Sequence, residues 1–142
     1  MKVGEAAFAL RVVRRRAGDA AVVYQRRLAP DGRERMGRVA AIGPLAFAAG
    51  GPLLRQAVRA TEGAEAALSD GAFHPLDPDW GARVACFGLI AAGLRDPDRL
   101  HRAAASLQRS DGVEAAWWLG LMVNGHGGRA TRALRILTEA VE

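Results

Sequence analysis

The stretch FALRVVRRRAGDAAVVYQRRLAPDGRERMGRVAAI, residues 8–42, decides the fold. Phe8, Leu10 and Val12 alternate with Ala9, Arg11 and Val13, the period of two that marks a half-buried strand. Ala17, Gly18 and Asp19 supply a turn, and a second β-rich run fills residues 21–29. That run stops at Pro30, Asp31 and Gly32, where the proline presets φ and the glycine accepts positive φ. Residues 33–42 read as a third, weaker strand that ends at Gly43 and Pro44. Connections this short lay successive strands side by side, which predicts an antiparallel three-stranded meander.

Beyond Pro44 the apolar period becomes helical. Residues 45–49 and 53–60 predict one or two helices around the break Gly50, Gly51, Pro52. A loop carrying Gly63, Gly71, Pro75 and Pro78 follows. Asp77 then stands as an N-cap with Pro78 at the first helical position, and Trp80, Val84, Phe87, Ala91 and Leu94 make a buried stripe. Asp96 and Pro97 repeat the cap ahead of Leu100, Ala103, Ala104 and Leu107. Asp111 and Glu114 have capping-box spacing before an apolar helix over residues 113–123, which Asn124 and Gly125 close. A last helix carries Ala130, Ala133, Leu134, Leu137 and Val141. The expectation is one α+β domain over residues 1–142: an N-terminal three-stranded antiparallel meander (1–43) packed on a C-terminal bundle of four to five helices (44–142).

Composition bounds the function. The 142 residues are 50% hydrophobic and 25% charged, which excludes a disordered or fibrous chain. Cys86 is the single cysteine, so no intramolecular disulfide forms, a four-cysteine zinc site is excluded, and a reducing, cytoplasmic setting is expected. Residues 1–16 lack the apolar run of a signal peptide. The longest strongly apolar segment, residues 115–123, is far shorter than the ~20 residues that span a bilayer, so no membrane insertion is expected.

Charge is uneven. Residues 1–60 hold 12 basic and 4 acidic residues, whereas residues 61–142 hold 8 and 11. All but one of the basic residues are arginine, a bias that a GC-rich coding sequence explains as readily as selection for guanidinium chemistry. Arg14, Arg15, Arg16, Arg26, Arg27, Arg33, Arg35 and Arg38 lie on or beside the two turns of the meander. If Phe8, Leu10, Val12, Tyr24, Met36 and Ile42 face the helices, alternation sends Arg11, Arg15, Arg27, Arg33 and Arg35, with Gln25, to the outer face. Such a density suits a phosphate backbone. A solvated arginine-rich face, or one that neutralises an acidic protein, explains it equally well. Tyr24 and Phe8 are too few for a cluster of exposed aromatics, so base stacking is not expected.

Other candidates have bland explanations beside them. Trp117 and Trp118 point about 100° apart on a helix, so one is available as a partner anchor unless helices bury both. His74, His101 and His126 lack metal-binding spacing and read as surface or cap histidines. Residues 125–128 form a glycine-rich turn without P-loop spacing. Cys86 reads as a buried, inert thiol. Asp77 with Asp79, and Asp96 with Asp98, are explained by helix starts. None of the patterns G-x-S-x-G, H-E-x-x-H or G-x-G-x-x-G occurs.

Residues 24–44, YQRRLAPDGRERMGRVAAIGP, resemble the short meander preceding a helix in the arm-type DNA-binding modules of phage-like integrases. The meander together with LDPDWGARVACFGLIAAGLRDPDRL, GVEAAWWLGL and GRATRALRIL resembles a family of small bacterial proteins from antiphage-type gene clusters encoding large ATPases, helicases and DNA methyltransferases. That resemblance implies a non-enzymatic accessory subunit and brings no catalytic residue with it.

The leading expectation is an accessory protein without catalytic residues, metal or cofactor. Arg11, Arg15, Arg26, Arg27, Arg33, Arg35 and Arg38 would contact DNA or RNA phosphates, and Trp117 or Trp118 would dock larger protein machinery. The alternative is an adaptor whose basic face meets an acidic protein surface. A small-molecule ligand is not indicated.

Overall fold

A computed structural model describes residues 7–123. Strands β1 (Phe8–Arg15), β2 (Gly18–Leu28) and β3 (Glu34–Ile42) form the antiparallel meander. Five helices are described: α1 (Pro44–Ala49), α2 (Gly51–Glu62), α3 (Pro78–Gly93), α4 (Pro97–Arg109) and α5 (Gly112–Val123). The fold is α+β, as the pattern predicts. The glycine-rich turn at 125–128, with His126, and the expected last helix lie outside the described residues.

Local chemistry explains the turns and caps. Ala29 accepts from the Gly32 N–H at 2.9 Å and donates to the Arg33 carbonyl at 2.8 Å, while Asp31 Oδ1 accepts from the Arg33 N–H at 3.0 Å. Gly32 has φ +81°, which completes a three-residue hairpin loop. Asp77 and Asp96 cap α3 and α4 by accepting from the Asp79 and Asp98 N–H groups, each at 3.0 Å, with Pro78 and Pro97 leading each helix.

A fourth strand, β4 (Phe73–Leu76), pairs antiparallel with β1, giving the order β3-β2-β1-β4. Sequence reasoning treats this segment as loop because Gly71 and Pro75 interrupt it. At the sheet edge, however, a proline is tolerated, since one side of the strand has no ladder to complete. The approach to β4 is pinned to β1 by Gly71 N–H donating to the Val12 carbonyl at 2.7 Å and Arg14 N–H to Asp70 Oδ1 at 2.9 Å.

The helices cover one face of the sheet. Phe8, Leu10, Val12, Ala21, Val23, Ala40, Ile42 and Leu76 point toward them and are buried. On α3, Gly88 lies against β3: a Cβ there would stand 2.7 Å from that of Ala40. Phe87, Leu54 and Val58 complete the interior.

Cys86 lies in that interior and donates through Sγ to the Ala115 carbonyl at 3.0 Å. Burial pushes its thiol up from 9.0 to about 12. The unfolded thiol ionises first, so its contribution to stability is intact below pH 9 and is lost as pH rises toward 12. At neutral pH a thiol reagent is expected to label native protein only at the rate of unfolding. Rapid labelling of folded protein would contradict this.

Candidate nucleic-acid interface

Cross-strand partners share a face, so the register assigns each arginine. On the face away from the helices, β1 contributes Arg11 and Arg15, β2 contributes Tyr24 and Arg26, β3 contributes Met36 and Arg38, and β4 contributes Phe73. Glu34 is the only acidic residue with this orientation among the described strand residues.

The expected gathering of Arg11, Arg15, Arg27, Arg33 and Arg35 on one face is therefore corrected. Tyr24 and Met36 face outward, not toward the helices. Gln25 faces inward and is fully buried, with neither amide atom hydrogen-bonded among the described residues. The cause on β3 is a bulge: Val23 pairs with Ala40 but Tyr24 with Arg38, leaving Val39 as the extra residue. One inserted residue reverses the phase, so Ile42 points in while Met36 points out. Arg27 and Arg35 pair with each other in the same series as Gln25, and both are exposed beyond the helices. Arg35 is held by Asp31 at 3.2 Å, and Arg33 closes the hairpin loop opposite Ala29, with its N–H donating to Asp31 Oδ1.

The outer arginines are exposed and little neutralised. Arg26 reaches Glu34 at 3.6 Å, whereas Arg11, Arg15 and Arg38 make no ion pair among the described residues. An ion pair this exposed contributes about 0–1 kcal/mol and leaves the charge available.

The same face carries an aromatic pair that sequence reasoning misses. The Tyr24 and Phe73 rings meet edge to face, with centroids 5.3 Å apart and an interplanar angle of 64°. They come from strands on either side of β1. Ala9, the cross-strand partner of Tyr24, sets only a methyl group between them. The Arg11 guanidinium lies over Phe73, 5.2 Å from the ring centroid, and Phe73 is still 53% exposed. The signal in the sequence was the alternation of Phe73 and Pro75 with His74 and Leu76.

Two features lie elsewhere. On the helix side, a groove of about 620 Å³ receives Arg14, Arg55 and Arg59 beside Asp19 and Glu65. Arg14 approaches Asp19 at 3.9 Å, so this groove is closer to charge balance than the outer face. On α5, Trp117 is 59% exposed, while the side chain of Trp118 lies outside the described part of the molecule.

His74 is not the surface or cap histidine expected from sequence. It is buried, and its Nε2 accepts from the Ser69 N–H at 2.8 Å, which ties the preceding loop to β4. His101 is exposed. Among the described residues no three His, Cys, Asp or Glu side chains gather in a way that would hold a metal ion, and no helix is long and apolar enough to cross a membrane.

The family model for a domain of unknown function, DUF7680, matches residues 8–140. No curated protein and no solved structure matches the chain.

Proposed function

This chain belongs to the DUF7680 family, and we propose that it is a non-enzymatic accessory domain that binds nucleic acid on the outer face of its sheet. One observation carries the reading: Arg11, Arg15, Arg26 and Arg38 share an open face on which Glu34 is the only acidic residue among the described strand residues. Four guanidinium groups on a surface tens of ångströms across attract a polyanion, and their planar donors suit phosphate oxygens. Trp117, exposed on α5, supports a second contact, with the larger protein machinery that an accessory domain would serve.

The two sides of the meander separate the reading from a generic charge effect. In one double variant, Arg26→Ala with Arg38→Ala, affinity for an oligonucleotide of arbitrary sequence at low salt is expected to fall by about tenfold or more. In the other, Arg27→Ala with Arg35→Ala, net charge changes equally but the outer face is untouched, and the loss is expected to stay under about twofold. Fluorescence anisotropy measures both. Equal losses would leave only overall charge at work, and a parent protein that binds no nucleic acid at low salt would favour the adaptor on an acidic protein surface.

A further inference from the structure

We infer that the outer face takes single-stranded nucleic acid, with bases stacked on the Tyr24–Phe73 pair and phosphates held by the arginines around it. This rests on the nucleic-acid reading and specifies its substrate class. The inference starts from a large apolar side chain left exposed on the sheet. Phe73 is a large apolar residue on an edge strand, more than half exposed, while its neighbours His74 and Leu76 are buried. Its ring is nevertheless held in place, by Tyr24 on one side and the Arg11 guanidinium on another. A ring both fixed and exposed has already lost the freedom that stacking would otherwise remove.

The surroundings suit a strand rather than a duplex. Arg38 is the cross-strand partner of Tyr24, and Arg11 is that of Phe73. Each aromatic thus has a cation beside it, the pairing of π-face and guanidinium that bases and phosphates require. The floor beyond them is made of small side chains: Val13, Ala20, Val22 and Ala41 line a shallow dimple of about 70 Å³ that leads to Arg15. Among the described residues only the β2–β3 hairpin beyond Gln25 continues as a two-stranded ribbon of the kind a duplex groove admits, and the aromatic pair lies outside it, on the four-stranded part of the sheet, where exposed rings suit unpaired bases. An acidic peptide would satisfy the arginines but would gain little from the fixed rings.

The test compares labelled probes of equal length and charge: dT12, U12 and a twelve-nucleotide abasic strand, which keeps its phosphates but has no base to stack. The parent is expected to bind dT12 or U12 at least tenfold more tightly than the abasic strand, since each stacked base is worth roughly 5- to 150-fold. Phe73→Ala is expected to erase that preference while leaving abasic binding and its salt dependence nearly unchanged. Phe73→Trp, which keeps a π-face, should restore it and so guards against a merely unfolded variant. Binding of dU12 compared with U12, which share the base and differ only in the 2′-hydroxyl, identifies the preferred sugar.

Equal binding of based and abasic strands, or a preference that survives Phe73→Ala, would overturn the stacking inference while leaving the phosphate reading intact. Tighter binding of the dT12·dA12 duplex than of dT12 would overturn it too. Displacement of dT12 by poly-glutamate at matched charge would reassign the face to an acidic protein, and failure of every nucleic-acid probe to bind would remove the reading beneath it.

Discussion

Replacing Arg11, Arg15, Arg26 and Arg38 together by alanine is expected to flatten the salt dependence of nucleic-acid binding. Each phosphate neutralised by a cation releases condensed counterions, so the logarithm of affinity falls with the logarithm of salt by about 0.7 per contact on a single strand and about 0.9 on a duplex. Four contacts give a slope near −3, and between 50 and 200 mM salt the parent should lose on the order of 50- to 150-fold in affinity. The quadruple variant should lose only a few-fold over that range. Its fold should persist, because all four side chains are exposed and the one ion pair they make among the described residues, Arg26 with Glu34, is an exposed one. The same measurement on Arg14→Ala, Arg55→Ala, Arg59→Ala, which strips the helix-side groove, is expected to leave the slope nearly as in the parent. A slope that follows the groove variant instead would move the interface to the other side of the sheet.

That contrast depends on which side chains share a face, and this is where the sequence was only partly legible. The meander followed from alternation and from the turn at Pro30, Asp31 and Gly32, because those signals are local. The caps at Asp77 and Asp96 were equally local, and the structure has both hydrogen bonds. Facing was not local. The pattern VVYQRR allows either phase, and the outward phase of Tyr24 is fixed by pairing with Ala9 and Arg38. On β3, Met36 and Ile42 are six residues apart and would share a face in any regular strand. The bulge at Val39 separates them, and GRVAAI has no glycine or proline at that position to announce it.

The aromatic pair was hidden for a related reason. Phe73 joins the site only because β4 returns to β1 some sixty residues later, a pairing that no spacing rule encodes. Once Gly71 N–H and Asp70 Oδ1 are engaged by β1, the short run Phe73–Leu76 has no choice of face. Its alternation places His74 and Leu76 over the core and Phe73 beside Tyr24. The basic character of the surface was therefore visible in composition. Its division between two faces, and the stacking ring on one of them, were products of long-range pairing.

Phe87→Ala is expected to cost about 4 kcal/mol, within the 3–5 kcal/mol range of buried phenylalanine truncations. Phe87 is fully buried on α3, and its ring fills the notch where α1 gives way to α2 at Gly50. A loss of that size is a large share of the ~5–15 kcal/mol that holds a domain together. The denaturation midpoint should fall sharply with an unchanged slope in denaturant. The notch also makes the contact testable from its other side, because a Cβ at Gly50 would collide with the Phe87 ring. Gly50 has φ −93°, a conformation open to any L-residue, so the cost of Gly50→Ala comes from packing and not from the backbone. In the parent that substitution should destabilise. In the Phe87→Ala background the ring is gone, and the added methyl enters vacated space, so the cost should shrink or reverse. Strict additivity of the two changes would show that the ring and the helix break are not in contact. Throughout, the folded fraction of each variant should bind nucleic acid as the parent does, since Phe87 and the outer arginines lie on opposite sides of the sheet. A variant that folds but loses binding would mean that the helical layer shapes the outer face, and that the sheet is not the rigid platform its ladder implies.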